Sequence, residues 1–379
     1  MKYVPLNPVF ESHALFFNPA YMTMKLTSGG PKHVENLRGV TADYDGNVTF
    51  SMYAPDADEV SVSWVDLNYK EKPMPLKRGE DGVWSATYSG VEPGFHYCHF
   101  LVDGKPAMNP QAPFGYGSHE VENFFEVPDR EFDDYLAKDV PHGSVTLEIY
   151  NSSRTGNLNA VYVYTPASYR KEPDRSYPVL YLNHGGGENE TGWLWQGKIN
   201  YIADNLIAEG RCEEMIIVMP CLYDIKYDAD EEFIAGDYDH TLVNDIIPMI
   251  EDRYRVIADC DHRAIAGLSM GSYHTACTSC NHPGLFAYTA MLSGSYDRRW
   301  YGWVDCRDVI EHSEEFKKTT KLFFMSIGTD ETRLYPQVQE NRAFLEKCGV
   351  RNAYYECPGL HVWTVWRKAV DQFMQKLFR

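Results

Sequence analysis

Short runs of alternating apolar and polar residues dominate the first third of the chain after its opening segment. The clearest runs are residues 48–53, 60–64, 84–88 and 97–102. Asp-Gly pairs, which favour tight turns, begin at Asp45, Asp81 and Asp103. Period-two alternation broken by such turns is typical of antiparallel strands with one buried face. The pattern predicts a small all-β, immunoglobulin-like sandwich over residues 31–128.

A different pattern begins at residue 144, where continuous apolar runs alternate with stretches of helical periodicity. The predicted strands are residues 161–166, 178–183, 215–220, 264–268, 287–293, 321–328 and 353–356. The predicted helices are residues 199–209, 241–254 and 362–377, with a further helix starting near residue 272. Strands that are apolar throughout and alternate with helices indicate a mostly parallel sheet covered by helices on both faces.

These two patterns divide the chain into four segments. Residues 1–30 form an irregular N-terminal arm rich in aromatic residues and proline, and residues 31–128 form the sandwich. Residues 129–143 are charged and then turn-forming, which predicts a linker, and residues 144–379 form the α/β domain. A chain of 379 residues is long enough for two such domains.

Composition narrows the classes of partner. The formal net charge of −19 disfavours nucleic acid and anionic membrane surfaces as partners, and no apolar run is long enough for a membrane span. Nine cysteines scattered through a large chain indicate free thiols in a reducing compartment. With no secretory signal visible, the expected location is the cytoplasm, or outside the cell if a leader has been trimmed. The oligomeric state stays open.

A buried strand at residues 264–268 runs directly into Gly267-Leu268-Ser269-Met270-Gly271. A Gly-x-Ser-x-Gly turn between a strand and a helix is the nucleophile elbow of α/β-hydrolases, which exposes one serine hydroxyl above the sheet. Because strand and helix nearly touch at such a turn, Gly267 and Gly271 must lack side chains. Ser269 is therefore the candidate nucleophile.

A serine hydroxyl needs a base to take its proton and an acid to orient that base. In this fold the acid precedes the histidine along the chain. His361 follows the last strand and opens the last helix, so it is the candidate base. The loop after residues 321–328 offers Asp330 and Glu331; Glu331 is preferred, Asp330 stays open, and Asp297 is a more distant alternative.

The oxyanion of an acyl-transfer intermediate needs two backbone N–H donors held in place before reaction. Met270, directly after the nucleophile, is one candidate donor. The second comes from His184-Gly185-Gly186-Gly187, which follows a buried strand; Gly186 is preferred over Gly187. No cofactor is expected, and no cluster of His or Cys residues has metal-ligand spacing.

The α/β segment resembles carbohydrate-esterase family one, the feruloyl esterase and esterase D group. The resemblance is carried by the stretches 177–187, 263–271 and 359–363, together with Trp366-Arg367. It implies catalytic roles for Ser269 and His361. The family usually shows Asp at the third position after the loop glycine, whereas Glu331 stands there in this chain.

The sandwich resembles family-48 carbohydrate-binding modules. The matching stretches are residues 50–55, 60–62, 81–84, 93–97 and 102–105, followed by Asn109-Pro110. Exposed Trp64 or Trp84 would be the aromatic side chain to stack on a sugar ring, although an aromatic residue in a small sandwich more often belongs to the core. A module of this kind ahead of such an esterase implies plant cell-wall xylan as the target.

The resemblance therefore implies a serine esterase that releases ferulate or related hydroxycinnamates through an acyl-enzyme. The expected partners are feruloylated or acetylated xylan oligosaccharides. Acetyl-xylan esterase and enterobactin-type siderophore esterase are the enzymatic alternatives, and a carbohydrate-binding protein on an inactive hydrolase scaffold is the non-enzymatic one. Aromatic residues near the predicted strand ends could line an acyl pocket; they are Trp193, Trp300, Tyr301, Trp303 and Trp363.

Overall fold

A computed structural model of the protein shows two units, which divide between Asp133 and Asp134. The described residues are 37–64, 73–224, 235–296 and 304–379. The predicted arm at residues 1–30 lies outside them. The division falls within the segment predicted as a linker, residues 129–143, and its last ten residues belong to the second unit.

The first unit is built from two antiparallel sheets. Its strands are β1 (Val40–Ala42), β2 (Val48–Tyr53), β3 (Val60–Trp64), β4 (Met74–Pro75), β5 (Lys77–Arg78), β6 (Val83–Tyr88), β7 (Gly94–Val102), β8 (Lys105–Ala107), β9 (Phe114–Gly117) and β10 (Glu120–Val127). One sheet has the order β1-β2-β6-β5 and the other β4-β3-β7-β10-β9, with β8 paired to β7. The predicted sandwich is confirmed.

Alternation along these strands builds the core of the sandwich. Val48, Phe50 and Met52 of β2 are buried at every second position, and Phe100 of β7 and Phe125 of β10 join the same cluster. Phe50 lies at its centre, because its ring contacts both Phe100 and Phe125 edge-on. Side chains from both sheets therefore share one apolar interior, as expected for a sandwich.

The two tryptophans considered for sugar stacking both contact this interior. Trp84 is buried and donates its indole N–H to the carbonyl of Ala54 at 2.9 Å. Trp64 is partly buried, and its ring stacks on Phe50 with 5.3 Å between centroids. Trp84 is a core residue, and Trp64 packs on the core.

The second unit contains one eight-stranded sheet. Its strands are β11 (Ser144–Asn151), β12 (Leu158–Thr165), β13 (Val179–Asn183), β14 (Ile216–Pro220), β15 (Arg263–Leu268), β16 (Tyr288–Leu292), β17 (Leu322–Gly328) and β18 (Asn352–Cys357). The order is β11-β12-β14-β13-β15-β16-β17-β18. The pairs β11-β12 and β12-β14 are antiparallel and the remaining pairs are parallel. The elbow strand β15 therefore lies inside the parallel part.

Helices connect these strands. They are α1 (Gly192–Trp195), α2 (Ile199–Ala208), α3 (Ala235–Thr241), α4 (Ile247–Arg253), α5 (Met270–Asn281), α6 (Cys306–His312), α7 (Glu314–Thr319), α8 (Tyr335–Lys347) and α9 (Trp363–Met374). A π-helical segment, Leu242–Ile246, joins α3 to α4, so the single helix predicted at 241–254 begins earlier and contains a π-helical turn. Within the described ranges, no helix has the length and apolarity that crossing a bilayer requires.

All nine cysteines of the chain lie within the described residues and are free thiols. Six are buried, and burial raises the pKa of several, that of Cys277 to about 12. The six buried cysteines therefore act as small apolar core residues.

Candidate active site

The site lies where five parallel strands end. The glycine loop His184–Gly187 follows β13, Ser269 follows β15, and Ser293 follows β16. Glu331 and His361 lie on the loops after β17 and β18. Because parallel strands bring their carboxyl ends to one edge of the sheet, residues far apart in sequence meet there, which is the usual place for a site in an open α/β sheet.

Ser269 occupies a sharp turn between β15 and α5. Its backbone has φ 48° and ψ −116°, a conformation that costs a non-glycine residue about 1–3 kcal/mol. The turn closes so tightly that a Cβ on Gly267 would lie 2.3 Å from the carbonyl oxygen of Gly271. A Cβ on Gly271 would lie 2.3 Å from the carbonyl oxygen of His184. Both glycines of the motif are thus required by backbone contact.

The imidazole of His361 lies between the serine and a carboxylate. Its Nε2 is 2.7 Å from Oγ of Ser269, and its Nδ1 is 2.6 Å from Oε2 of Glu331. A carboxylate only accepts hydrogen bonds, so Nδ1 carries the proton and Nε2 is left to accept the serine proton. The arrangement is that of a serine hydrolase triad.

The carboxylate of Glu331 accepts hydrogen bonds from three donors: Nδ1 of His361, Ser293 and Gly328. It is 4% exposed, and its Oε1 accepts the hydroxyl of Ser293 at 2.6 Å and the backbone N–H of Gly328 at 2.9 Å. Asp330 is exposed, and its Oδ2 accepts the backbone N–H of Gly359 at 2.9 Å. The structure therefore brings Glu331, and not Asp330, against the imidazole, while Asp297 lies outside the described residues.

Ser293 is a new member of this cluster, and its loss has an expected cost. In Ser293→Ala, Oε1 of Glu331 loses its hydroxyl donor, so the carboxylate is held less firmly behind His361. A hydrogen bond to a charged group contributes about 1.5–3 kcal/mol, and each 1.4 kcal/mol is about tenfold in rate. We expect kcat for ester hydrolysis to fall about tenfold with KM nearly unchanged, measured by steady-state kinetics.

Ser295→Ala is the matched control for that change. Ser295 is also fully buried and also donates its hydroxyl, but to Oδ1 of Asn341 at 2.8 Å and not to Glu331. We expect this variant to lose thermal stability and to keep its kcat. Equal losses of kcat in both serine variants would contradict a specific role for Ser293.

The glycine loop presents one free amide next to the nucleophile. The N–H of Gly187 donates to the hydroxyl of Tyr223 at 2.9 Å, and the N–H of Gly185 points to Oε2 of Glu188 at 3.3 Å. The Gly186 N–H has no acceptor among the residues the structure describes. A Cβ on Gly186 would lie 3.9 Å from Cβ of Met270, so these two residues are neighbours.

Met270 is the first residue of α5, and the first N–H groups of a helix have no intrahelical acceptor. Among the described residues, the amides of Met270 and Gly186 therefore remain available beside Ser269, an arrangement able to bind an oxyanion. The N-terminus of α5 adds a favourable partial positive charge at the same place.

His184 shapes this loop as a neutral ring. Burial lowers its pKa to about 4. Its Nδ1 donates to the carbonyl of Gly185 at 2.7 Å, and its Nε2 accepts the backbone N–H of Leu222 at 2.9 Å. One ring thus connects the glycine loop to the loop after β14.

A row of three tryptophan side chains packs against the imidazole ring of His361. The Trp366 ring meets His361 edge-on at 4.9 Å between centroids, and Trp363 and Trp193 continue the row at 5.3 and 5.2 Å. Trp193 and Trp363 are almost completely buried, so they are packing residues and do not form open walls of an acyl pocket. Trp300, Tyr301 and Trp303 lie outside the described residues.

The first unit contains the one His and carboxylate cluster of metal-binding type among the described residues. Ligand atoms of His99, Glu120 and Glu122, on β7 and β10, lie within 4.8 Å of one another. Nε2 of His99 and Oε2 of Glu122 are 3.0 Å apart, a hydrogen bond that accounts for this pair without an ion. Sequence spacing did not indicate the cluster, because strand pairing creates it.

Three further residues of the site escaped the sequence motifs: Ser293, Glu188 and Tyr223. Ser293 stands directly after a strand that neighbours β15, and Glu188 directly after the glycine loop. The sequence shows both positions once the predicted strand ends are aligned, but it does not show in which direction the two side chains point. Tyr223 has no sequence signal that would link it to Gly187.

Known protein families match both the hydrolase segment and the sandwich segment of the chain. The esterase family model matches residues 152–377, and carbohydrate-binding module 48 (isoamylase N-terminal domain) matches residues 38–108. The endo-1,4-beta-xylanase/feruloyl esterase of Xylanibacter ruminicola is 32% identical over 343 residues, which cover 88% of this chain and 45% of that protein. The chain thus spans less than half the length of this curated relative.

Solved structures extend the comparison. A ferulic acid esterase is 26% identical, with a TM-score of 0.53, over 62% of this chain and 97% of its own. The enterobactin esterase of Shigella flexneri, in the presence of 2,3-di-hydroxy-N-benzoyl-glycine, has a TM-score of 0.66 over 88% of this chain and 93% of its own. At 16% identity, the second likeness shows the fold alone.

These matches confirm the predicted fold class and the resemblance to feruloyl esterases of carbohydrate-esterase family one. The esterase model covers well over half of the chain and includes the elbow, the acidic loop and the terminal histidine. The protein belongs to the esterase family of α/β-hydrolases and carries a family-48-type module ahead of its hydrolase domain.

Proposed function

We propose that the chain hydrolyses hydroxycinnamoyl esters, such as ferulate esters, on xylan-derived oligosaccharides. The observation that carries the chemistry is the continuous contact from Ser269 through His361 to Glu331. The observation that supports the substrate is the relative whose name joins a xylanase to a feruloyl esterase. A carbohydrate-binding type of module in the same chain fits a polysaccharide target.

In the proposed reaction, Oγ of Ser269 attacks the ester carbonyl while Nε2 of His361 takes the hydroxyl proton. The carbonyl oxygen becomes an oxyanion and receives the N–H groups of Gly186 and Met270. When the carbon–oxygen bond to the sugar breaks, Nε2 returns its proton to the leaving alcohol. Water, activated by the same nitrogen, then hydrolyses the acyl-serine and restores the hydroxyl.

Glu331 keeps its charge throughout this cycle. It stabilises the imidazolium that forms in each half-reaction and holds the Nδ1–H tautomer. The bonds from Ser293 and Gly328 keep the carboxylate oriented, so little reorganisation is needed at the moment of proton transfer.

A panel of four esters tests the substrate. We expect kcat/KM to be highest for feruloylated xylo-oligosaccharides, followed by methyl ferulate, and at least about tenfold lower for acetylated xylan. A preference for acetylated xylan would replace the proposal with acetyl-xylan esterase activity. The enterobactin esterase likeness extends over both units, so a catechol-serine trilactone belongs in the panel; preferential hydrolysis of it would overturn the proposal.

A further inference from the structure

A buried carboxyl group lies directly behind the glycine loop. Glu188 is 6% exposed, and its Oε2 faces the N–H of Gly185 at 3.3 Å. The backbone of α1 approaches the same oxygen so closely that a Cβ on Gly192 would lie 3.2 Å from it. Across the described ranges, Glu188 forms no ion pair with any Lys, Arg or His. Backbone groups of Gly185 and Gly192 and the side chain of Trp363 thus enclose this carboxyl group.

One glycine separates this carboxyl group from the nucleophile. The position that a Cβ on Gly185 would occupy lies 3.5 Å from Cβ of Ser269 and 3.7 Å from Oε2 of Glu188. The next residue, Gly186, carries the free amide of the proposed oxyanion site. A change in the hydrogen bond between Glu188 and Gly185 would therefore shift Gly185, the residue directly before the Gly186 amide.

Burial also decides the charge of Glu188. Desolvation raises its pKa to about 8, against smaller opposing effects of the Gly185 N–H and the Trp363 side chain. The nearest titratable ring on the same loop, His184, is neutral because burial lowers its pKa to about 4. At neutral pH the carboxyl group therefore keeps its proton and adds no negative charge beside Ser269.

The cationic side chains on the neighbouring helices form no ion pair with Glu188 in the described ranges. Arg367 of α9 donates to the carbonyl of Gln196, and Lys198 before α2 forms no ion pair with Glu188. Glu331 and His361 bind each other. Within the part of the chain that the structure describes, no cation pairs with Glu188, so once it ionises its charge would act directly on the site.

We propose that Glu188 is a positioning residue: its neutral carboxyl group fixes the glycine loop for oxyanion binding, and loss of its proton disables that site. A carboxylate one glycine away from a developing oxyanion destabilises the transition state through like-charge repulsion in a poorly solvated region. The proposal rests on the oxyanion role proposed above for Gly186 and Met270.

Kinetics across pH 6 to 10 test this role, with 4-nitrophenyl acetate as a substrate that has no ionising group. For the native protein we expect kcat to fall about tenfold per pH unit above about pH 8. Glu188→Gln keeps a neutral side chain with an acceptor oxygen. It should keep kcat within about threefold at pH 7 and hold that value to at least about pH 9.5.

Glu188→Ala removes the acceptor for Gly185 as well as the titrating group. We expect its kcat to fall about 10- to 100-fold at every pH, with KM changed less than about threefold, since a displaced oxyanion donor acts on the transition state. Glu190→Gln is the matched control two residues away, because burial raises the pKa of Glu190 as well, while its side chain hydrogen-bonds Cys221. It should keep the native pH profile.

Two results would overturn the proposal: an unchanged loss of kcat above pH 8 in Glu188→Gln, or native kcat in Glu188→Ala. Circular dichroism and thermal unfolding of each variant establish that it is folded. Ser269→Ala, measured with the same substrate, separates the two hypotheses. If Ser269→Ala is inactive while Glu188→Gln keeps the native profile, the role of Glu188 is wrong and the esterase mechanism stands.

Discussion

Replacement of Ser269 by alanine is expected to lower kcat/KM for methyl ferulate by roughly four to six orders of magnitude. In the proposed mechanism the hydroxyl removed forms the acyl-enzyme, and no other hydroxyl in the described ranges contacts Nε2 of His361. The remaining activity would come from the oxyanion donors and from substrate binding alone. Steady-state kinetics with high enzyme concentration and long time courses would measure the loss.

The same substitution should leave the fold intact. Alanine at position 269 keeps the Cβ but not the hydroxyl, and the backbone bond from its N–H to the carbonyl of Leu292 at 2.9 Å is unaffected. Thermal unfolding should therefore shift by only a few degrees. Near-native hydrolysis by folded Ser269→Ala would refute the nucleophile assignment.

Glu331→Gln is expected to lower kcat by about three to four orders of magnitude through the tautomer of His361. Ser293 and Gly328 both donate to Oε1 of Glu331, so a glutamine places its carbonyl oxygen there and turns its NH₂ group toward Nδ1. Nδ1 must then accept, which moves the ring proton to Nε2. The nitrogen facing Ser269 can no longer take a proton.

Asp330→Asn is the matched control, because the carboxylate of this neighbouring acid contacts the backbone N–H of Gly359. We expect it to keep kcat within about threefold, although the loop loses some stability. A large loss of kcat in Asp330→Asn together with a small one in Glu331→Gln would assign the acid role to the other carboxylate.

The elbow and the histidine of this site could be predicted from the sequence. Gly267 and Gly271 encode the elbow directly, because the turn leaves no room for a Cβ at either position. His361 could be placed because the chain order of a triad is fixed in this fold. Both inferences depend on residues close in sequence or on strand order, and neither requires a side-chain direction.

The choice between Asp330 and Glu331 required coordinates. The two carboxylates are adjacent on one loop, so their sequence context is nearly the same. What separates them is direction: one faces the backbone of Gly359 and the other faces His361. Gly328, one donor that stabilises the second direction, is local to this loop, but the hydroxyl of Ser293 comes from the end of the neighbouring strand β16.

The main elements of the fold were also predicted from the sequence, whereas some of its details were not. Alternation and turns predicted the sandwich, and continuous apolar runs predicted the parallel sheet. The π-helical segment Leu242–Ile246 was not predicted, because one altered turn leaves the helical periodicity of the sequence almost unchanged. The burial of Glu188 was likewise invisible, since an acidic residue after a glycine loop is ordinarily expected in solvent.

In the proposed mechanism Ser269 is acylated during turnover, and intact-protein and peptide mass spectrometry after reaction with a fluorophosphonate identifies the residue that reacts. We expect one phosphonyl group per chain, on the peptide that contains Ser269, no labelling of Ser269→Ala, and much slower labelling when His361 is replaced by alanine. Labelling at another residue, or rapid ester hydrolysis by protein that remains unlabelled and uninhibited, would contradict the account.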